Sequence, residues 1–375
     1  MLLARLAVAV VLLVVFHPRA ASAEGPIVVG VPTALGTIEG QDSLRAAQLA
    51  VKEINDAGGV AGRPLEMVAL DTQADPALGI NAMNRLITVD KLPVVLTAWS
   101  AVVKAQAPGA NREKTLLLNT SANAPEIATL GDYVYTLFPL ADVDITALAN
   151  YTYEKLGKRK VAVLFINNDT GIDAAKVYKN VFEKAGGQIV TYEAYDPKAT
   201  EFSGMLLKMR ATNPDMVHVH GLITDVPQVI AQMRQLGLQQ RVSSYSAGYN
   251  PKLVEQLGAA AEGFIVTSLA PGADENPNVN KLLDRWKAEE KRTPNGLPYN
   301  QYNYDAVMVV ARLYKYLLEN NKPLTGEAMR DALIAIKDFD TPMSGKTSID
   351  GHRVRKPVYL LTVDKGKFTP LAKIE

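Results

Sequence analysis

Short β-branched runs alternate with amphipathic stretches along almost the whole chain. Residues 27–31, Ile-Val-Val-Gly-Val, predict a buried strand. A loop with Gly36 and Gly40 follows, and then Leu44, Ala47, Val51 and Ile54 recur at helical spacing. Asp42 or Ser43 is placed to cap that helix. Asn55-Asp56-Ala57-Gly58-Gly59 stops it, because glycine accepts the left-handed conformation a helix end requires. The alternation continues with strands at 65–70, 94–96, 116–118 and 133–137, and helices at 77–89, after Ser100, and at 124–130.

A second series opens near Lys160. Strands at 161–165, 188–192, 216–220, 242–245 and 264–267 alternate with helices at 171–185, around Leu206 and Met209, and at 227–236. Strands separated by helices of this length imply parallel pairing with helices on both faces. The pattern predicts two doubly wound, Rossmann-like α/β units of similar plan. After Ala270-Pro271-Gly272 come helices at 279–292, 305–319 and 329–336, then strands and turns over 342–371. Helices that belong to neither half fit a chain that returns to the first domain.

Composition narrows the function. The 375 residues are 48% hydrophobic and 21% charged, which excludes bulk disorder. Lys+Arg is 40 against Asp+Glu 39, so no basic excess exists to hold a nucleic acid. With no cysteine, disulfides, thiolate metal sites and a cysteine nucleophile drop out. The first residues have another logic. Arg5 precedes an unbroken apolar run over 6–16, and Ala21-Ser22-Ala23 offers small residues at the two positions a signal peptidase reads. Residues 1–23 are therefore expected to be a cleaved secretory signal, too short to span a bilayer. No cysteine follows the cleavage point, so a lipid anchor is excluded, and the expected product is soluble and periplasmic.

In open α/β sheets, ligands bind outside the carboxyl ends of the strands, where helix N-termini offer unpaired N–H groups. Two strand-to-helix loops stand out: Thr97-Ala98-Trp99-Ser100 and Asn119-Thr120-Ser121-Ala122-Asn123. Their small hydroxyl and amide groups suit an anion such as a carboxylate. Helix capping alone accounts for the same residues.

These loops also carry a resemblance. Residues 53–62, Glu-Ile-Asn-Asp-Ala-Gly-Gly-Val-Ala-Gly, and Leu70-Asp71-Thr72-Gln73-Ala74-Asp75-Pro76 resemble the opening of the leucine/isoleucine/valine-binding family of type I periplasmic binding proteins. Asn123-Ala124-Pro125-Glu126, Asp169-Thr170-Gly171, residues 213–217, Ala261-Glu262-Gly263 and Tyr304-Asp305-Ala306 are similar to its later landmarks. The resemblance implies two lobes joined by three crossings, near residues 139–144, 268–276 and 349–357. It divides the chain into 24–141 with 272–348, and 142–271 with 349–375. It further implies a monomer without cofactor that delivers a small solute to a membrane ABC permease and is not an enzyme.

Carried over position by position, the resemblance places the ligand's carboxylate on Ser100, Ser121 and Asn123. Thr170, Leu222 beside His220, and Tyr299 complete the wall. The acidic residue that holds an ammonium in amino-acid binders falls on Ser246, which carries no charge. A buried ammonium needs a carboxylate partner, so a carboxylate without an amine fits better. Trp99, Tyr249 and Tyr299 offer flat walls, which makes an aromatic acid the leading ligand class. Glu39, in the first strand-to-helix loop, is the other carboxylate available for an ammonium. A branched-chain amino acid, another amino acid or an amide stays open as a ligand, as does a sensory rather than a transport role.

Other chemistry has weaker support. His218 and His220 face one side of a strand, but only Asp225 is near as a third metal ligand, so one packed and one cleft histidine are expected and no metal site. Ser100 and Ser121 would be nucleophiles only with a base in reach. The chain has neither a Gly-x-Ser-x-Gly elbow nor a phosphate loop.

Overall fold

The computed structural model describes residues 25–268 and 276–374. The expected signal segment, 1–23, and most of the second expected crossing, 269–275, lie outside the described residues.

The first half builds a parallel sheet from β1 (Ile27–Thr33), β2 (Leu65–Asp71), β3 (Val94–Thr97), β4 (Leu116–Asn119) and β5 (Val134–Thr136), in the order β2-β1-β3-β4-β5. Between the strands run α1 (Ile38–Asp56), α2 (Pro76–Thr88) and α3 (Ser100–Arg112). Successive side chains of a strand point to opposite faces. Val94, Leu96 and Leu118 accordingly join the core under α1, while Val95 and Leu117 join a second core under α2 and α3.

The second half repeats the plan. Helix α4 (Ala141–Glu154) leads into β6 (Lys160–Ile166), α5 (Asp169–Lys184), β7 (Gln188–Tyr195), α6 (Ser203–Ala211), β8 (Met216–His220), α7 (Asp225–Gln235), β9 (Arg241–Ser244), α8 (Pro251–Leu257) and β10 (Ile265–Ser268). Its parallel order is β7-β6-β8-β9-β10. The chain goes on through α9 (Pro277–Glu290), α10 (Leu297–Glu319), α11 (Gly326–Ile336) and a small antiparallel sheet of β11 (Asp338–Thr341), β12 (Gly345–Asp350) and β13 (Arg353–Arg355). It ends with β14 (Val358–Asp364) and β15 (Lys367–Ile374), which extend the second sheet antiparallel beyond β10.

The late helices pack against elements of the first half. Helix α10 packs along α1, and its Tyr314 hydroxyl donates to the Val28 carbonyl at 2.6 Å. Arg292 pairs with the buried Asp42 of α1, whose carboxylate also accepts from the Asn295 N–H at 2.7 Å. Asp42 is therefore not the cap of α1. The helix starts earlier, at a Thr37 cap that accepts from the Gly40 N–H at 3.1 Å. A Cβ on Gly40 would collide with the Ala34 carbonyl, so the tight entry requires glycine.

Three further differences have physical causes. Helix α4 escapes the periodicity because Ala141, Asp144, Ile145, Ala147, Leu148, Ala149 and Thr152 are buried around most of its circumference. Helix α10 starts eight residues before its expected start, led by Gly296 in the left-handed region and Pro298 in the first turn, which read as a loop. The expected lobe break at 348/349 falls inside β12. The small sheet stays with the first lobe, since the Thr136 N–H of β5 donates to the His352 carbonyl at 3.0 Å. No helix among the described residues is long and apolar enough to cross a membrane.

Asp144 is buried in α4, where one oxygen accepts from the Thr267 hydroxyl at 2.7 Å and the other has no partner. Burial pushes its carboxyl up to about 7. The folded state therefore holds a proton that the unfolded state loses near pH 4, and stability falls as pH rises from about 4 to 7. Asp144→Asn should remove this slope. In denaturant titrations the variant should gain on the wild type between pH 5 and pH 8, by on the order of a few kcal/mol at most. An unchanged difference at the two pH values would show that Asp144 is ionised throughout.

Candidate functional site

Parallel strands send all their following loops to one edge. The two sheets turn these edges toward each other around a cavity of about 290 Å³. From the first sheet come Thr37 and Glu39 after β1, Ala74 after β2, Trp99 and Ser100 after β3, and Ser121 after β4. From the second come Asn168, Asp169 and Thr170 after β6, Leu222 and Ile223 after β8, and Tyr245 and Ala247 after β9. Tyr299, in the first turn of α10, closes the wall. Both sheets reverse strand order beside these loops, as ligand sites of doubly wound sheets do.

The donor chemistry concentrates at the start of α3. Trp99 precedes this helix with φ 62° and ψ 122°, in a region a bulky residue rarely occupies. No side chain caps α3, whose first residues Ser100 and Ala101 line the cavity, so the helix start leaves N–H groups for a ligand there. The Ser100 hydroxyl accepts from the Ala124 N–H at 3.3 Å and lies 3.5 Å from the Thr170 hydroxyl of the other lobe. The Ser121 hydroxyl is close by, but its N–H and that of Ala122 donate to Asn119 Oδ1 at 3.2 and 2.8 Å. Side chains at Ser121 and Thr170, with the backbone of Ser100 and Ala101, are therefore the donors free for a ligand. The helix expected after Ser121 is a five-residue 3₁₀ turn, Pro125–Thr129.

Seven of the expected site residues stand in the wall: Glu39, Trp99, Ser100, Ser121, Thr170, Leu222 and Tyr299. Four do not. Asn123 is buried behind the wall, its Nδ2 3.4 Å from His220 Nε2 across the lobes. His220 is fully buried and stacks on Tyr245 at 3.8 Å between ring centres, so it supports a wall residue instead of forming one. Ser246 is also fully buried, outside the wall. Tyr249 is carried away by the 3₁₀ turn Ser246–Gly248 and packs edge-on against Phe368, 5.0 Å distant, in a separate cavity.

His218 stacks on Tyr178 at 4.1 Å and lies 3.1 Å from the Ser243 hydroxyl. Burial pushes His218 down to about 3 and holds His220 well below the usual range, so both are neutral. Asp225 is committed to the Tyr195 hydroxyl, at 2.9 Å, and the Leu222 N–H, at 3.1 Å. Among the described residues no group of three His, Asp or Glu is placed to hold a metal ion. The periodicity missed Tyr245, because an aromatic ring at a strand end reads as core. Thr37 and Asn168, which the sequence reading did not single out, line the wall and also cap α1 and α5.

At the cavity mouth Lys104 of α3 bridges the lobes. Its ammonium is 2.6 Å from Glu126 and 2.7 Å from Asp169, the first residue of α5. Burial opposes its charge, but the hydrogen bonds to Asp169 and Glu126 outweigh burial and raise its pKa.

Two doubly wound lobes closing on one cavity between facing carboxyl edges define a two-lobed binding protein of type I plan. The family model described as periplasmic binding protein matches residues 28–367, and the chain belongs to that family. The leucine-, isoleucine-, valine-, threonine- and alanine-binding protein of Pseudomonas aeruginosa is 25% identical over 297 residues, 79% of this chain and 78% of that protein. The branched-chain amino acid transporter substrate-binding protein of Streptococcus pneumoniae, solved with isoleucine, superposes with a TM-score of 0.81 at 25% identity, covering 93% of this chain and 99% of its own. A solute-binding protein of an ABC transporter from R. palustris, solved with benzoate, gives a TM-score of 0.83 at 18% identity, over 93% and 96% of the two chains, and so shares the fold.

Lys104→Ala removes the bridge between the lobes while leaving each core intact. A partly exposed ion pair contributes about 0.2–1 kcal/mol, so the closed-to-open ratio should fall by about 1.5- to 5-fold. Small-angle scattering of the unliganded protein should show a larger mean radius for the variant at low salt, with the difference vanishing at high salt. Equal radii at low salt would mean that the bridge does not bias closure.

Proposed function

We propose that this chain is the periplasmic substrate-binding component of an ABC importer, and that it captures a small carboxylate-bearing solute, an aromatic acid first of all, by closing its two lobes. The observation that carries this reading is the mixed lining of the cavity. The uncapped start of α3 and the hydroxyl residues Ser121 and Thr170 line it together with the rings of Trp99, Tyr245 and Tyr299. A carboxylate gains charge-assisted bonds at the first, and a flat apolar body gains contact area at the second. Among the described residues the wall holds no lysine or arginine, so neutral donors do the anchoring. The benzoate complex of a protein with this fold supports the ligand class. We place two of the lobe crossings at residues 138–140 and 356–357. Closure follows from contacts that a ligand makes with both lobes in the closed state only. On this reading the solute leaves unchanged, as a transport component requires.

The amino-acid reading also has an observation in its favour, the Glu39 carboxylate in the wall. A thermal-shift panel of benzoate, phenylacetate, benzyl alcohol, leucine, isoleucine and valine separates the two. A compound that binds only the folded state raises the midpoint. Benzoate or phenylacetate should raise it, benzyl alcohol should not, and Ser121→Ala should weaken the acid by about 1–3 kcal/mol without unfolding the chain. Shifts from leucine, isoleucine or valine alone would replace the aromatic acid by an amino acid. Mass spectrometry of a bound acid after prolonged incubation should return that acid; a product lost in Ser121→Ala would make the chain an enzyme.

A further inference from the structure

Glu39 stands in the cavity wall with its own backbone N–H as the hydrogen-bond donor acting on its carboxylate. It is the second residue of α1, half-buried, and its side chain makes no hydrogen bond or ion pair with any other described side chain. The charged groups that act on it are acids, Asp225 and Asp42. Both are engaged elsewhere, Asp225 with the Tyr195 hydroxyl and Asp42 with Arg292. Burial raises the Glu39 carboxyl; the hydrogen bond from its own backbone N–H opposes this in part, and the two neighbouring acids add to it. A hydrogen-bond donor arriving there relieves a standing electrostatic cost, whereas an apolar or anionic group adds to it.

The topology fixes where that donor must lie on the ligand. Glu39 follows β1 and Ser121 follows β4, and β3 alone stands between those strands. One strand spacing separates the root of the Glu39 loop from the start of α3, and two put it roughly 9–10 Å from the root of the Ser121 loop, the far end of the carboxylate's donor set. One aromatic ring with substituents at opposite ends spans such a gap.

Resting on the aromatic-acid reading above, we infer that Glu39 is a specificity-determining residue that selects acids bearing an N–H or O–H donor across the ring from the carboxylate. The site then discriminates by a rule beyond size. An unsubstituted ring leaves the Glu39 carboxylate desolvated with no further donor, and a second carboxylate on the ring is repelled. Sites that hydrogen-bond a ligand group reject the analogue lacking it much more strongly than apolar pockets reject a missing methylene.

Calorimetric titration of the purified protein with benzoate, 4-hydroxybenzoate, 4-methoxybenzoate and 4-(aminomethyl)benzoate tests this. The wild type should bind at least one donor-bearing acid ten-fold or more tighter than benzoate and 4-methoxybenzoate, the fold-change expected of a hydrogen bond to a charged group. Glu39→Leu should reduce that preference to within about three-fold. Glu39→Gln keeps an acceptor, so it should retain preference for the hydroxyl and lose it for the ammonium, which tells the two donors apart. A preference that survives in Glu39→Leu, or no preference in the wild type, overturns the role of Glu39 alone. Failure of all four acids to bind a protein that leucine or another amino acid stabilises overturns the ligand class beneath it, and the inference with it.

Discussion

The structure depends on the polarity of its parallel strands. Each strand hands its chain to a helix at the same edge, so each lobe collects its loops, and the positive ends of its helices, on one side. Two such edges turned toward each other enclose a space in which backbone donors are already oriented. Side chains cap six of the eleven described helices, with Thr37, Asp75, Asn168, Asn250, Asn276 and Thr325 at the starts of α1, α2, α5, α8, α9 and α11. Helix α3 is not capped, and it is held open by Trp99 in a sparsely populated conformation. Unusual backbone of this kind persists where surrounding structure imposes it, and it clusters at ligand sites.

The second consequence is that the two lobes meet through few and mostly polar contacts around the cavity. Ser100 approaches Thr170, Asn123 approaches His220, and Lys104 reaches Asp169. Val163, Tyr178 and Ile265 cluster apart from Val95, Val103 and Leu117, while one further buried cluster holds residues of both halves, Leu96 and Leu118 with Leu164 and Val217. A ligand that touches both edges can then shift the balance by the difference between its contacts in the two states.

Much of this was legible in the sequence, for a physical reason. Strands buried on both faces must be continuous apolar runs, so 116–118 and 161–165 declared themselves, and their alternation with amphipathic helices implied the doubly wound plan. The strand-to-helix loops followed from that plan, and seven cavity residues came with them. The failures cluster where tertiary packing overrides a local signal. Helix α4 is buried too evenly to show a stripe, and Asp42 looked like a cap but serves as the buried partner of Arg292. Asn123, His220, Ser246 and Tyr249 occupy loops or strand ends of the right kind. A side chain there can turn toward the cleft or away from it, and only packing decides which.

The central claim is that the first turn of α3 holds the ligand's carboxylate. Amide resonances of Ser100 and Ala101, followed by NMR during titration with an aromatic acid and then with the matching primary alcohol, test it most directly. The account predicts large downfield shifts of these two amides with the acid and small ones with the alcohol. Shifts confined to Asn168, Thr170 and the second lobe, or to the separate cavity beside Tyr249 and Phe368, would contradict it.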